Sequence, residues 1–278
     1  MLAALLIVFR EVIEAGLIVG IVLAATKGVF RRGRWVSYGI VAGVTGAALV
    51  AAFAGQLSSL FNGSGQEFFN AGILILAVTM LTWHNVWMAG HGREMARHMK
   101  DVGTAVSAGE RSLAALAVVV GVAVLREGSE VVLFLYGIAS QGGASGIAML
   151  TGAALGLLAG AGVSVLMYYG LLAIPPGKLF SATSGLITVL AAGMAAQAIL
   201  FIQQAGYFEF LTRTLWNTSW LLPQDSIAGR LLHTLIGYSD QPNGAQLVAY
   251  AVTVIAIAGL MRWERGRRSR GAPVPIPA

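Results

Sequence analysis

FREVIEAGLIVG, residues 9–20, and LREGSEVVLFLYG, residues 125–137, each set one arginine and two glutamates inside an otherwise apolar run. The chain is 57% hydrophobic and 11% charged, against roughly 25% charged residues in soluble globular domains. Six scarce charges in two copies of one R-E-x-x-E pattern therefore need a reason. On a helix, successive residues turn by about 100°. Taking Arg10 as zero, Glu11 falls at about 100° and Glu14 at about 40°, so all three project from one narrow face. Arg126, Glu127 and Glu130 repeat that arrangement. The pairs Arg10/Glu14 and Arg126/Glu130 are spaced i, i+4, within ion-pairing reach.

A charge near the centre of a bilayer is unfavourable by roughly 2.5–3.5 kcal/mol, so six facing lipid would cost about 15–20 kcal/mol. They are expected to face the interior of a bundle and one another. Two internal ion pairs would account for one glutamate per arginine and leave two surplus negative charges in a core of low dielectric. A bound cation removes that imbalance. Glu11, Glu14, Glu127 and Glu130 are therefore the candidate metal ligands, with Arg10 and Arg126 as ion-pairing support. Carboxylates are hard oxygen ligands suited to Mg²⁺, Ca²⁺, Mn²⁺ or iron, and this chemistry leaves the ion open. With no cysteine in the chain, thiolate sites, iron–sulfur ligation and disulfides are excluded.

The remainder predicts an all-α polytopic membrane protein. Seven runs are long and apolar enough to span lipid, about 2–26, 35–57, 66–88, 113–139, 147–172, 180–203 and 246–263. The first carries its charges mid-run and lacks a basic leading region, so it is expected to be a retained helix and not a cleaved leader. The positive-inside rule sets the direction. Fourteen Lys and Arg residues fall in the segments after the first, third, fifth and seventh runs or between them and the next, whereas the opposite loops hold only Arg213 and Arg230. The N-terminus is thus expected outside and the C-terminus inside. The net charge of +6 belongs to topology, not to nucleic acid.

In that topology the two motif runs are antiparallel. Residues 1–263 read as one membrane domain: a first repeat at about 1–88, an inverted second repeat at about 113–203, an outer loop at 204–245 and a seventh helix at 246–263. Residues 264–278 form a basic, then Pro-rich, cytoplasmic tail. Inverted repeats around a polar site near the midplane are the layout of alternating-access transporters.

The double motif in this topology resembles the oxidase-dependent iron permease family, which includes the fungal high-affinity iron permeases and the bacterial EfeU-type ferrous iron permeases. TWHNVWM at 82–88 resembles the end of that family's third span, and WNTSWLL with GYSDQPN, within 216–243, its last outer loop. The motifs here read REVIE and REGSE, and Asn217 stands where an aspartate is expected. The resemblance implies a high-affinity permease that imports iron, Fe²⁺ or Fe³⁺, across the cytoplasmic membrane, with the motif glutamates as ligands. It also implies a non-enzyme without organic cofactor, whose partners are the iron ion, the lipid bilayer and an extracytoplasmic iron-oxidising or iron-delivering protein.

Weaker candidates for the ion's path are Glu67, His84, Glu209, Asp225 and Asp240. His84, beside Trp83, reads first as an interfacial aromatic-belt residue at the inner end of the third span. FEFLTRTLW and IAGRLLHTLIGY in the outer loop read as one or two short interfacial helices. The competing classes are a transporter of another divalent or heavy metal, a carboxylate-lined proton or cation channel and a di-iron carboxylate oxidase. The last uses Glu-x-x-His helices, and neither motif run contains a histidine.

Overall fold

The computed structural model describes residues 1–60, 66–140, 145–170, 176–207 and 209–270. The Pro-rich end of the expected tail, 271–278, lies outside the described residues. Eight helices are found among the described residues: α1 Leu2–Ala25, α2 Arg32–Leu60, α3 Gln66–Ser107, α4 Ala114–Ser140, α5 Gly146–Tyr168, α6 Pro176–Gln204, α7 Ile227–Ile236 and α8 Gly244–Arg270. Helices α1 to α6 and α8 coincide with the seven predicted apolar runs. Five of them, α2, α3, α5, α6 and α8, are long and apolar enough to cross a membrane. The other two, α1 and α4, have 24 and 27 residues, and each carries the three charges of a motif.

The outward surface is apolar. Val41, Leu49 and Phe53 on α2, Leu150 and Leu158 on α5, and Val252 and Ile255 on α8 are all exposed. A soluble protein would bury such side chains, whereas lipid solvates them. The chain is accordingly a polytopic helical protein of the membrane type.

Small residues determine which helices meet. A Cβ on Gly156 of α5 would sit 2.5 Å from the Leu5 carbonyl oxygen and 3.0 Å from the Phe9 nitrogen of α1. Gly152 and Gly160 lie one turn to either side, against Met1 and against Phe9 and Val12. The residue numbers rise together, so α1 and α5 are parallel. Likewise a Cβ on Gly43 of α2 would sit 2.8 Å from the Gly121 carbonyl oxygen and 2.9 Å from the Leu125 nitrogen of α4. Gly39 meets Ala117, and Gly128 meets Ala47, so α2 and α4 are parallel as well. Close backbone approach of this kind lets helices associate by van der Waals packing where no hydrophobic drive exists.

Other contacts orient the rest. Arg126 of α4 meets Trp87 of α3, and Gly137 of α4 meets the level of Ala77, so these two helices are antiparallel. Ser184 donates to Asn85 at 3.2 Å, and Tyr207, just past the end of α6, packs edge-on against Phe68 near the start of α3. Hence α1, α3 and α5 run one way and α2, α4 and α6 the other.

Two apolar clusters fill the interior. One holds Ala3 and Ile7 of α1, Leu74 to Leu81 of α3, and Phe134 and Ile138 of α4, with α6 and α8. The other holds Val22 of α1, Val36 of α2, Met99 and Val106 of α3, and Leu116 and Val120 of α4. Along α1, α3 and α4 alike, the segment between the two clusters is where the polar residues lie.

The apolar part of α3 spans Glu67–Met88, as expected, but the helix itself has 42 residues and continues to Ser107. At about 1.5 Å per residue this is roughly 60 Å, about twice the hydrocarbon thickness. The extension holds because Met95, Met99 and Val106 pack into the second cluster, with Val102 buried at the same helical spacing. Ser107 Oγ also donates to the Ala25 carbonyl at 2.9 Å.

The segment 204–245 holds one helix, α7, among its described residues. Ser226 caps α7 by accepting from the Gly229 nitrogen at 2.9 Å, and Gly237 closes it at φ 69. FEFLTRTLW is not helical in its described part. Leu211 has φ 56, and the backbone donors of Leu215 and Thr218 go to the carbonyls of Pro242 and Asp240 at 2.9 and 2.8 Å. Backbone hydrogen bonds to 240–243 take the place of a helical ladder there.

Candidate metal centre

Arg10, Glu11 and Glu14 are buried at 2%, 1% and 4% exposure. Arg10 Nη1 lies 3.1 Å from Glu11 Oε1 and Nη2 lies 3.0 Å from Glu14 Oε1, so one guanidinium holds both carboxylates of its motif. In the second copy, Arg126 Nε is 3.1 Å from Glu130 Oε1 and 3.8 Å from Glu127 Oε1. This arginine is the more open of the two, its side chain being 34% exposed against 1% for Arg10. Its guanidinium stands 4.6 Å over the Trp87 ring, a cation–π contact.

His84 joins the two motifs. Its Nε2 is 3.2 Å from Glu14 Oε2 of α1, and its Nδ1 meets Glu130 Oε2 of α4. The expectation of an interfacial belt residue is therefore corrected: His84 is 2% exposed. The reason is the face it occupies, which sets it between Glu14 of α1 and Glu130 of α4. Trp83, the neighbour that suggested a belt, is 70% exposed on another face.

Ligand atoms of Glu11, His84, Glu127 and Glu130 all lie within 4.8 Å of one another. Three helices thus deliver three carboxylates and one imidazole to a single buried point. Glu14 stands beside that group, tied to Arg10 and to His84. Glu11 Oε2 and Glu127 Oε2 are buried without a hydrogen-bond partner. Orphaned carboxylate oxygens are costly in a dry interior, and a cation would satisfy them. The donor set suits a borderline or hard metal ion, with the imidazole favouring a transition metal over Mg²⁺ or Ca²⁺.

The acids expected along the path are not part of this group. Glu67 is exposed in the first turn of α3, and Glu209 and Asp225 are exposed in the outer loop. Asp240 is half-buried, and its carboxylate accepts from the Gln224 nitrogen at 3.2 Å. Asn217 accepts from the nitrogen and hydroxyl of Ser219 at 3.0 and 2.7 Å, a local turn contact.

The model of the iron permease FTR1 family matches residues 1–264. Over 259 residues the chain is 31% identical to the ferrous iron permease EfeU of Escherichia coli O157:H7, covering 92% of this chain and 93% of that protein. The ferrous iron permease EfeU of Yersinia pestis is 30% identical over 259 residues, with 92% and 91% covered. No solved structure matches. The chain belongs to the iron permease FTR1 family. It stands with transport proteins for that reason, since the absence of histidine from the motif helices no longer argues against a di-iron centre once His84 arrives from α3.

Proposed function

We propose that this protein imports iron across the cytoplasmic membrane as a seven-span carrier with its N-terminus outside and its C-terminus inside. Glu11, Glu14, Glu127 and Glu130 bind the ion together with His84, while Arg10 and Arg126 hold the carboxylates in place. The observation that carries this reading is the buried convergence of Glu11, His84, Glu127 and Glu130 from α1, α3 and α4. The relatives' description as ferrous iron permeases supports iron as the substrate.

The helix directions support the span count, because α1 to α6 alternate as consecutive membrane crossings must. The inverted repeat draws support from the pairing: α1 packs on the second helix of the later repeat, α5, and α4 on the second helix of the earlier one, α2. Two apolar clusters flank the site along α1, α3 and α4, so ion access requires one of them to part. An extracytoplasmic protein that oxidises or delivers iron would supply the ion, as Fe²⁺ or Fe³⁺. Glu67, Glu209, Asp225 and Asp240 are then positioned to attract cations at the outer face.

The test is radio-iron uptake into proteoliposomes of the purified protein, with Fe²⁺ under reductant and Fe³⁺ as a soluble chelate, against Mn²⁺ and Zn²⁺ competitors. Saturable iron uptake is expected. Non-saturable flux of many cations would replace the carrier with a channel. Arg126→Lys should slow uptake about tenfold while changing stability by less than about 1 kcal/mol, because the exposed ammonium remains solvated but loses the planar contact with Trp87. Full activity in that variant would reduce Arg126 to a counter-ion.

A further inference from the structure

Three of the chain's four histidines, His84, His91 and His98, are spaced seven residues apart on α3. Glu94 sits between the last two. At about 100° per residue, His84, Trp87, His91, Glu94 and His98 fall within an arc of about 80° on one side of the helix. Arg97 and Lys100 fall outside that arc. The stripe begins inside the buried centre at His84 and ends on the surface, His91 being half-buried and Glu94 and His98 exposed.

The steps along it are physical contacts. The His91 ring stacks on Trp87 with centroids 5.1 Å apart and planes 3° from parallel. Its Nδ1 lies 3.2 Å from the Trp87 carbonyl oxygen, which leaves Nε2 for another partner. Trp87 in turn carries the Arg126 guanidinium, the least covered member of the motif ion pairs. The buried centre is therefore most open where this stripe leaves it.

We infer that Glu94, paired with His91 or with His98, forms a second, weaker site for a divalent transition-metal ion, which receives the ion released past Arg126 and Trp87 at the inner end of the bundle. This rests on the import reading above. Glu94 and His98 are an i, i+4 pair and His91 and Glu94 an i, i+3 pair, spacings that bring side chains together on a helix. His91 and His98 are about 10.5 Å apart along the axis, too far to share one ion, so Glu94 pairs with one or the other. Two protein ligands with water completing the shell bind loosely. That suits a relay, because an ion on its way through must be able to leave each station.

The experiment is equilibrium dialysis of the full-length protein in detergent micelles with Co²⁺ as the only metal. Two classes of site are expected in the natural protein. The double variant Glu127→Gln/Glu130→Gln should lose the tighter class and keep the weaker. In His91→Ala/His98→Ala the weaker class should loosen at least about tenfold, the loss that even an outer-shell partner can bring, with the tighter class unchanged. Alanine is the best helix former, so α3 should survive, and an unaltered elution profile checks this. A single class in the natural protein, or a weaker class indifferent to loss of both histidines, would show a solvated helix face and overturn the inference. Survival of the tighter class in the glutamine variant would instead fall on the buried centre. The α3 site is decided by the weaker class alone.

Discussion

Iron uptake is expected to fall to background, at least about 100-fold, when Glu130 is replaced by alanine, while the protein still inserts and folds. Outer-shell partners of a metal ligand already cost 10–100-fold in affinity, and Glu130 is placed as a ligand that also holds another. Its Oε2 meets His84, and its Oε1 accepts from Arg126 at 3.1 Å. Removing it takes away a carboxylate and frees the imidazole from the second motif. Folding should be better spared because Arg126 keeps two partners, Glu127 at 3.8 Å and the Trp87 ring at 4.6 Å. Glu14 is a poorer test. Its loss leaves the buried Arg10 with Glu11, at 3.1 Å, as its remaining ion pair and takes one of the two carboxylates that hold His84, so the interior loses charge balance as well as a ligand. Glu14→Ala would therefore confuse lost ligation with lost structure. Uptake by Glu130→Ala at the natural rate, in protein shown to be folded, would remove the motif site from the mechanism.

The same contrast shows what the sequence could and could not convey. The two motifs announce themselves, since charges are expensive in lipid and six in a repeated pattern have few explanations. The limits of the five apolar spans on α2, α3, α5, α6 and α8 are equally legible, because composition changes sharply at each end. His84 was misjudged because a histidine beside tryptophan near a basic segment has the composition of an interface. What decides its role is the pair of carboxylates it meets, Glu14 and Glu130, which come from two other helices and leave no mark in the local sequence.

Partner choice was hidden for a different reason. Gly152, Gly156 and Gly160 mark a face made for close approach, yet nothing local says that the partner is α1, more than 140 residues away in sequence. Pairing between distant segments is a property of the assembled bundle. The segment 209–216 failed similarly. Its apolar pattern suits a helix, but the Leu215 nitrogen donates to the carbonyl of 242 and, just beyond it, Thr218 donates to that of 240.

That packing supplies the other large effect. Gly156→Leu is expected to destabilise the folded protein by about 3 kcal/mol or more, toward the upper end of overpacking losses. A Cβ there would be 2.5 Å from the Leu5 carbonyl oxygen and 3.0 Å from the Phe9 nitrogen. These are backbone atoms of a helix and cannot rotate aside as a side chain would, so α1 and α5 must separate. Separation moves Glu11 and Glu14 relative to α3 and α4, and uptake should fail with stability. Gly162 on the same helix is the control. It is exposed, and a Cβ there meets nothing within 4 Å. Gly162→Leu should be neutral or stabilising, since glycine within a helix costs about 1 kcal/mol relative to a good helix former. Thermal unfolding of both variants in detergent makes the comparison. If Gly156→Leu melts with Gly162→Leu, the α1–α5 contact does not fix the position of the first motif. A loss confined to Gly156→Leu would mean that small residues on α5 decide where the α1 glutamates stand.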